Sequence, residues 1–209
     1  MITMVHLIYF YAFVFFLRGV NYNSESQLEV YKVRSGIVYY SSVMNIAPFN
    51  KGIVLYFDSF GKREAIKITA TISNSIQTQM LIKLDDLQYM MMDTLQCIKT
   101  KRKKEFSLEN LDISLINENT CKEYDVKAAG EIFYLNRMCN KYIFTNSGKN
   151  IKGEIIVWQN IPLSILVDRQ GIVERTEAYK IETEVNIDEN VFDIPKNIKI
   201  LDMTSIDNN

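Results

Sequence analysis

Strict alternation of apolar and polar residues is the feature that most constrains this chain. It is cleanest where Ile66, Ile68, Ala70 and Ile72 alternate with Lys67, Thr69 and Thr71. The same period of two runs through residues 35–41, 51–58 and 76–84. A period of two is typical of β-strands that bury one face and leave the other in water. The sequence therefore predicts a mainly β fold.

Short turn signals separate these strands, as at Asn50-Lys51-Gly52, Ser73-Asn74-Ser75 and Asp85-Asp86. Such tight connections favour an antiparallel meander over parallel strands joined by crossover helices. Further strands are predicted in the second half of the chain, at 132–135, 141–145, 154–158, 163–167, 172–184 and 198–200. The simplest fold class is one antiparallel sheet of eight or more strands in an α+β chain.

Helical spacing appears at two places. Leu108, Leu111 and Leu115 recur at helical intervals within residues 107–117, behind Ser107 as an N-cap. Near the end, Asp188 is placed to cap a single turn that holds Val191 and Phe192. The sheet is thus expected to carry a short helical insertion in the middle.

The N-terminus carries an uncharged apolar run, residues 7–17, that Arg18 ends. A membrane-spanning helix needs roughly 20 apolar residues, and shorter runs are more typical of a signal-peptide core. Residues 1–23 are therefore interpreted as an export signal, with an uncleaved membrane anchor as the alternative. Residues 24–209 then form a single exported domain in the periplasm or cell envelope.

The amino-acid composition excludes several classes of catalytic and binding site. The one histidine of the chain, His6, lies in the predicted leader, so the domain lacks the base of Ser-His-Asp and Cys-His catalysis. Common zinc sites and glycine-rich phosphate loops are missing too, so we expect no metal and no cofactor. A formal net charge of -1 argues against a nucleic-acid partner.

Three cysteines remain, Cys97, Cys121 and Cys139. An oxidising compartment allows one disulfide among them, and the sequence does not choose the pair. The simpler expectation is that the three cysteines are buried as small apolar side chains, with or without one disulfide.

The basic run, two acid pairs and a methionine triplet each have a structural and a functional interpretation. The basic run Lys99–Lys104 is interpreted as a solvated loop, with contact to anionic lipid head groups as the alternative. The acid pairs Asp85-Asp86 and Asp58 with Glu64 would be needed by a carboxylate-dependent hydrolase, although the first is more easily interpreted as a turn. Met90–Met92 is expected to be core.

Two stretches carry a resemblance to a known family. The first is SGIVYY (35–40) followed by GIVLYFDSFGKREA (52–65). The second consists of Cys139 in a strand, VWQNIPLSILVDRQG (157–171) and Val191-Phe192-Asp193-Ile194-Pro195. In their order these motifs resemble a family of exported bacterial proteins of unknown function. That family is similar in fold to the outer-membrane lipoprotein carriers and receptors. The resemblance covers about residues 30–200, with 93–130 poorly matched.

The resemblance implies an incomplete antiparallel β-barrel whose open side is covered by a short helix or loop. It also implies an apolar concave face able to take acyl chains, and no catalytic residue. The candidate ligand-binding positions on that face are Ile53, Leu55, Phe57, Trp158, Leu163 and Ile165. The expected function is non-catalytic binding of a lipid or other apolar ligand, and the alternative is a filled barrel that binds an envelope protein. Membrane contact is expected only through the leader or the basic run.

Overall fold

A computed structural model describes residues 29–72, 75–91, 96–102 and 118–205. Twelve strands lie in these residues: β1 Gly36–Met44, β2 Ala47–Asp58, β3 Arg63–Ile72, β4 Ser75–Leu84, β5 Leu87–Met91, β6 Gln96–Lys101, β7 Lys127–Tyr134, β8 Arg137–Asn146, β9 Ile151–Trp158, β10 Ile161–Arg169, β11 Ile172–Thr183 and β12 Lys199–Asp202. A helix, α1, spans Glu118–Tyr124, and 3-10 turns span Ser59–Gly61 and Glu189–Phe192.

All twelve strands belong to one sheet in the order β12-β6-β5-β4-β3-β2-β1-β11-β10-β9-β8-β7. Its two ends are β12 and β7, so the sheet curls without closing into a barrel. This confirms the predicted fold class. One pair departs from it, because β12 runs parallel to β6 at the end of the sheet.

Two of the predicted local features are confirmed, one is wrong and one falls outside the described residues. The turn predicted at Asn50-Lys51-Gly52 lies within β2, and the β1–β2 turn is at Asn45 and Ile46. The alternating segments form β1 to β4, and Asp188 caps the short turn by accepting a hydrogen bond from the Asn190 amide. The predicted helix over 107–117, like the predicted leader, lies outside the described residues. The helix that is described, α1, begins directly after that segment.

The interpretation of the basic run as a loop was wrong for its first half. Lys99 and Lys101 lie in β6, where Lys99 pairs with Asp202 of β12 at 2.8 Å between Nζ and Oδ2. Charged side chains on a strand near the sheet edge stay in water while the backbone still pairs, and a run of lysines hides that pairing from a pattern search. Residues 103–104 lie outside the described residues.

Three hydrophobic clusters hold the sheet. The first lies between β1, β2 and the tips of β7–β10 and takes in the segment 29–35. In the second, Tyr124 of α1 packs with buried side chains of β8, β9 and β10. The third packs Ile187, Phe192 and Ile198 of the C-terminal segment against Ala65 and Ile82.

Candidate functional site

A single transverse line of apolar residues crosses eight neighbouring strands. Directly opposite partners link each member to the next, and such partners point to the same face of a sheet. We call the line the apolar row; its members in strand order are Ile181, Val38, Leu55, Ile66, Leu81, Met90, Ile98 and Leu201. One face of the sheet thus carries a continuous apolar track from β11 to β12.

The row is most buried at its members on β1 and β2, and it is more exposed towards β12. Val38 is fully buried and Leu55 is 5% exposed, whereas Ile66, Leu81, Met90 and Ile98 are half-buried. Leu81, Met90 and Ile98 belong to none of the three hydrophobic clusters that the described residues form. Leu81, Met90 and Ile98 are therefore only partly covered by the described residues.

The buried end of the row is covered by the chain itself. Residues 29–35, which we call the strap, place Val30, Tyr31 and Val33 in the same cluster as Leu55 and Phe57. The rings of Tyr31 and Phe57 lie 4.5 Å apart between centroids. Leu55 and Phe57 are thus packed under the strap, and Leu163 and Ile165 are buried as well, so four of the six predicted ligand-binding positions are core.

Five of the six predicted positions come together and one does not. Ile53, Leu55, Phe57, Trp158 and Leu163 share the first cluster, whereas Ile165 lies in the second with Ile155 and Phe144. A β-bulge in β10 between Pro162 and Ser164 separates them. The inserted residue shifts the alternation, so Leu163 and Ile165 no longer point the same way.

Trp158 is half-buried at the rim of the first cluster, with the Arg137 guanidinium 4.8 Å from its ring centroid. That cation–π contact holds the ring at the end of the β9–β10 hairpin.

The outer members of the row were not predicted as site residues. In β4 the apolar residues Ile76, Met80, Ile82 and Leu84 stand out from the sequence, and Leu81 sits among their polar alternates. The structure turns Ile82 towards the third cluster and leaves Leu81 in the row. Adding strand register to the alternation of β3 would have found Leu81 opposite Ile66.

A buried ion cluster borders the row. Glu64 lies opposite Lys83, and both are almost fully buried. The carboxylate of Glu64 contacts Lys83 Nζ at 3.2 Å and also binds the guanidinium of Arg102. Glu64 lies on β3 and Arg102 follows β6, so the pair bridges three strand spacings, roughly 14 Å on a flat sheet. This contact indicates that the sheet curls towards the face that carries the row.

The remaining chemistry is structural. Asp85-Asp86 forms the β4–β5 turn, as predicted, and Asp58 pairs with Arg63 at 3.4 Å between Oδ2 and Nη2. All three cysteines are free thiols. Burial raises the pKa of the Cys97 and Cys139 thiols above the ordinary value, which lowers their reactivity. Met91 is core and Met90 faces the row; Met92 lies outside the described residues.

Two features, a metal-binding group and a membrane-spanning helix, are absent from the described ranges. No group of three or more metal-ligating side chains is placed to hold an ion there. In the same ranges, no helix has the length and apolar character needed to cross a membrane.

No family model and no curated protein matches the chain by sequence. Solved structures do match. An uncharacterized conserved protein from Thermus thermophilus aligns over 81% of this chain and 91% of its own, at 10% identity and a TM-score of 0.53. The Pseudomonas aeruginosa MucA/MucB complex aligns over 83% of this chain but 60% of that one, at 13% identity and a TM-score of 0.51.

A putative outer membrane lipoprotein-sorting protein domain from Vibrio parahaemolyticus aligns more loosely. The alignment covers 76% of this chain and 89% of that one, at 10% identity and a TM-score of 0.37. All three likenesses are at 13% identity or less and concern the fold alone. Together with the open twelve-stranded sheet, the first two comparisons confirm the predicted fold class, a curled antiparallel sheet that does not close into a barrel.

Proposed function

We propose that the protein binds an apolar ligand, a lipid or an acyl chain, in the cell envelope and without catalysing a reaction. The observation that carries the proposal is the apolar row, which crosses eight strands on one face. Its members from Leu81 to Leu201 are only partly covered, and a contiguous apolar strip on one face supports a binding surface rather than a solvated sheet face. The carrier-like fold supports the proposal by analogy only.

The outer half of the row is the part of the face best suited to a chain-like ligand. Ile66, Leu81, Met90 and Ile98 lie on four consecutive strands, so they form a line of roughly 14 Å across a flat sheet. Methionine adds a flexible and polarizable side chain that adapts to ligands of different shape. A straight alkyl chain laid along this line would contact each of the four side chains.

Export of the domain is part of the same proposal. The leader predicted over residues 1–23 would deliver it to the periplasm, or hold it at the membrane if it stays attached. A carrier or receptor of lipids belongs in that compartment. Localisation of the full-length protein in fractionated cells, with and without residues 1–23, tests this part.

A native mass spectrum of the protein, purified from its own envelope without detergent, tests the proposal of ligand binding. We expect an added mass that disappears after organic extraction, together with uptake of a fluorescent fatty acid by the extracted protein. A bare polypeptide mass and no uptake would contradict it.

The alternative is an interaction module with a filled interior that binds an envelope protein. It is favoured by the dense packing of Leu55, Phe57 and Leu163, which are at most 5% exposed. The structure it resembles in the MucA/MucB complex was solved with a protein partner. Capture of one defined envelope protein, by a sample that takes up no fatty acid, would favour this alternative.

A further inference from the structure

The strap lies over the buried end of the apolar row. Val30, Tyr31 and Val33 are at most 8% exposed, and they pack in one cluster with Val38, Leu55 and Phe57. In the row, Leu55 directly faces Ile66, whose side chain is half-buried. Ile66 packs at the edge of the same cluster, so the exposure of the row begins to rise beside the strap.

The β2–β3 turn is shaped to receive the strap. The Phe60 carbonyl accepts hydrogen bonds from the amides of Val30 at 2.9 Å and Tyr31 at 3.1 Å, and the Phe60 amide donates to the carbonyl of Arg34 at 2.9 Å. Ser59, Phe60 and Gly61 have φ angles of 53°, 60° and 86°. Two consecutive non-glycine residues in this left-handed region are unfavourable, so surrounding contacts must hold them there.

Gly61 is needed at this turn for a second reason. A Cβ atom on Gly61 would lie 2.7 Å from Val30 Cβ and 2.8 Å from Tyr31 Cδ2. Any larger side chain at this position would push against the strap. The glycine of the family-like motif is thus the point on which the strap rests.

The attachment of the strap is local rather than part of the sheet ladder. Its amides bind Phe60 and, through Lys32, the carbonyl of Gln159 at 3.1 Å. At its C-terminal end, Ser35 is fixed by the amide of Glu184 at 2.9 Å and by Val185, whose carbonyl accepts from Ser35 Oγ at 2.8 Å. Release of residues 30–33 would therefore break three backbone hydrogen bonds, to Phe60 and Gln159, and would leave Ser35 and the pairing of β1 intact.

We propose that the strap is a displaceable cover that occupies the ligand surface until an apolar ligand replaces it. The inference rests on the proposed function and deepens it, because it names Val38, Leu55 and Phe57 as side chains that contact the ligand once the strap is displaced. An alkyl chain that took the place of Val30, Tyr31 and Val33 would keep those three side chains out of water. When the alkyl chain replaces the strap, the strap loses its contacts with the sheet. The apolar side chains of the sheet stay covered, now by the ligand.

Hydrogen exchange of the full-length protein tests displacement, with a fluorescent fatty acid as the probe. We expect saturation with the probe to speed exchange of the Val30, Tyr31 and Lys32 amides by about tenfold or more, since their acceptors are lost. The amide of Val191, which donates to Asp188 on the other side of the sheet, is the control and should not change. Strap amides that keep or gain protection while the probe is bound would overturn the proposal.

A matched pair of variants gives an independent measurement. Tyr31→Ala and Phe192→Ala each remove one aromatic ring that is 5–6% exposed, so both lower the stability of the fold. Only Tyr31→Ala loosens the strap, and it should raise probe affinity several-fold by lowering the cost of opening. Equal probe affinity in the two variants would overturn the proposal.

The failure of the two proposals can be told apart. A wild-type protein that binds the probe with an unchanged strap contradicts the cover alone. A wild-type protein and a Tyr31→Ala variant that both bind no probe contradict ligand binding, and the cover with it. Binding that appears only in Tyr31→Ala supports both.

Discussion

Leu55 and Ile66 lie directly opposite each other on β2 and β3, and the exposure of the apolar row rises from the first of them to the second. Leu55 is 5% exposed under the strap, whereas Ile66 is half-buried. The same row therefore serves as core on one side of this pair and as surface on the other. Buried core and partly exposed surface therefore share one continuous line of residues.

Replacing Glu64 with Gln should strongly destabilise the domain. The change removes the carboxylate that Lys83 and Arg102 share in a buried place. Loss of one member of a buried ion cluster costs about 3–5 kcal/mol, because the remaining charges stay out of water. Urea unfolding of the purified variant measures the loss.

Asp58→Asn is the matched control for Glu64→Gln, since it removes a carboxylate that pairs with Arg63 near the surface. Partly exposed pairs contribute no more than about 1 kcal/mol. Similar losses in the two variants would show that the Glu64 cluster is not buried in solution.

Gly153→Ala should destabilise the β8–β9–β10 region. A Cβ at this position would meet the Leu166 carbonyl oxygen at 2.1 Å and Phe144 Cζ at 2.5 Å, so the backbone itself would have to move. Overpacking of this kind costs about 1–3 kcal/mol. In thermal unfolding, Gly52→Ala is the control, because a Cβ there meets nothing within 4 Å. Equal melting temperatures for the two variants would contradict the packing described.

The carboxyl group of Asp202 should titrate well below its ordinary pKa of about 3.9. The Lys99 ammonium, 2.8 Å away, is the main cause, and hydrogen bonds from Thr204 add to it. A lowered folded-state pKa means that the pair stabilises the fold above pH ~4 and that this contribution is lost as the pH falls through the folded pKa. Carboxyl NMR of wild type and Lys99→Met checks this: the midpoint of Asp202 should rise in the variant. An unchanged midpoint would show that the pair does not form.

The alternation was enough to predict most of the strands, because a buried face imposes a period of two on any sequence. It failed at β6, where Lys99 and Lys101 extend into water and conceal a paired backbone. The alternation also could not predict that β12 pairs in parallel with β6. The partners Ile98 and Leu201 lie in opposite halves of the chain, and no local pattern reaches that far.

The grouping of the candidate residues in space was predicted in part, whereas their role in ligand binding stays a prediction. The apolar residues of β2 do lie together in one cluster, but their burial depends on the strap, whose position follows from hydrogen bonds to Phe60 rather than from any periodicity. Ile165 was grouped with Leu163 because a uniform period of two was assumed across the bulge. Leu81 and Met90 needed the register between strands, which a single strand does not contain.

The most direct test of ligand binding compares two neighbours on β5 that point to opposite faces. Met90 lies in the apolar row, and Tyr89, also half-buried, packs against the third cluster. Fluorescent fatty acid affinity should fall about tenfold or more in Met90→Asn, because a buried methionine contributes ~1.5–3 kcal/mol, and should stay within about twofold in Tyr89→Asn. Equal affinity in both variants, or a loss confined to Tyr89→Asn, would contradict the assignment of the apolar row as the ligand surface.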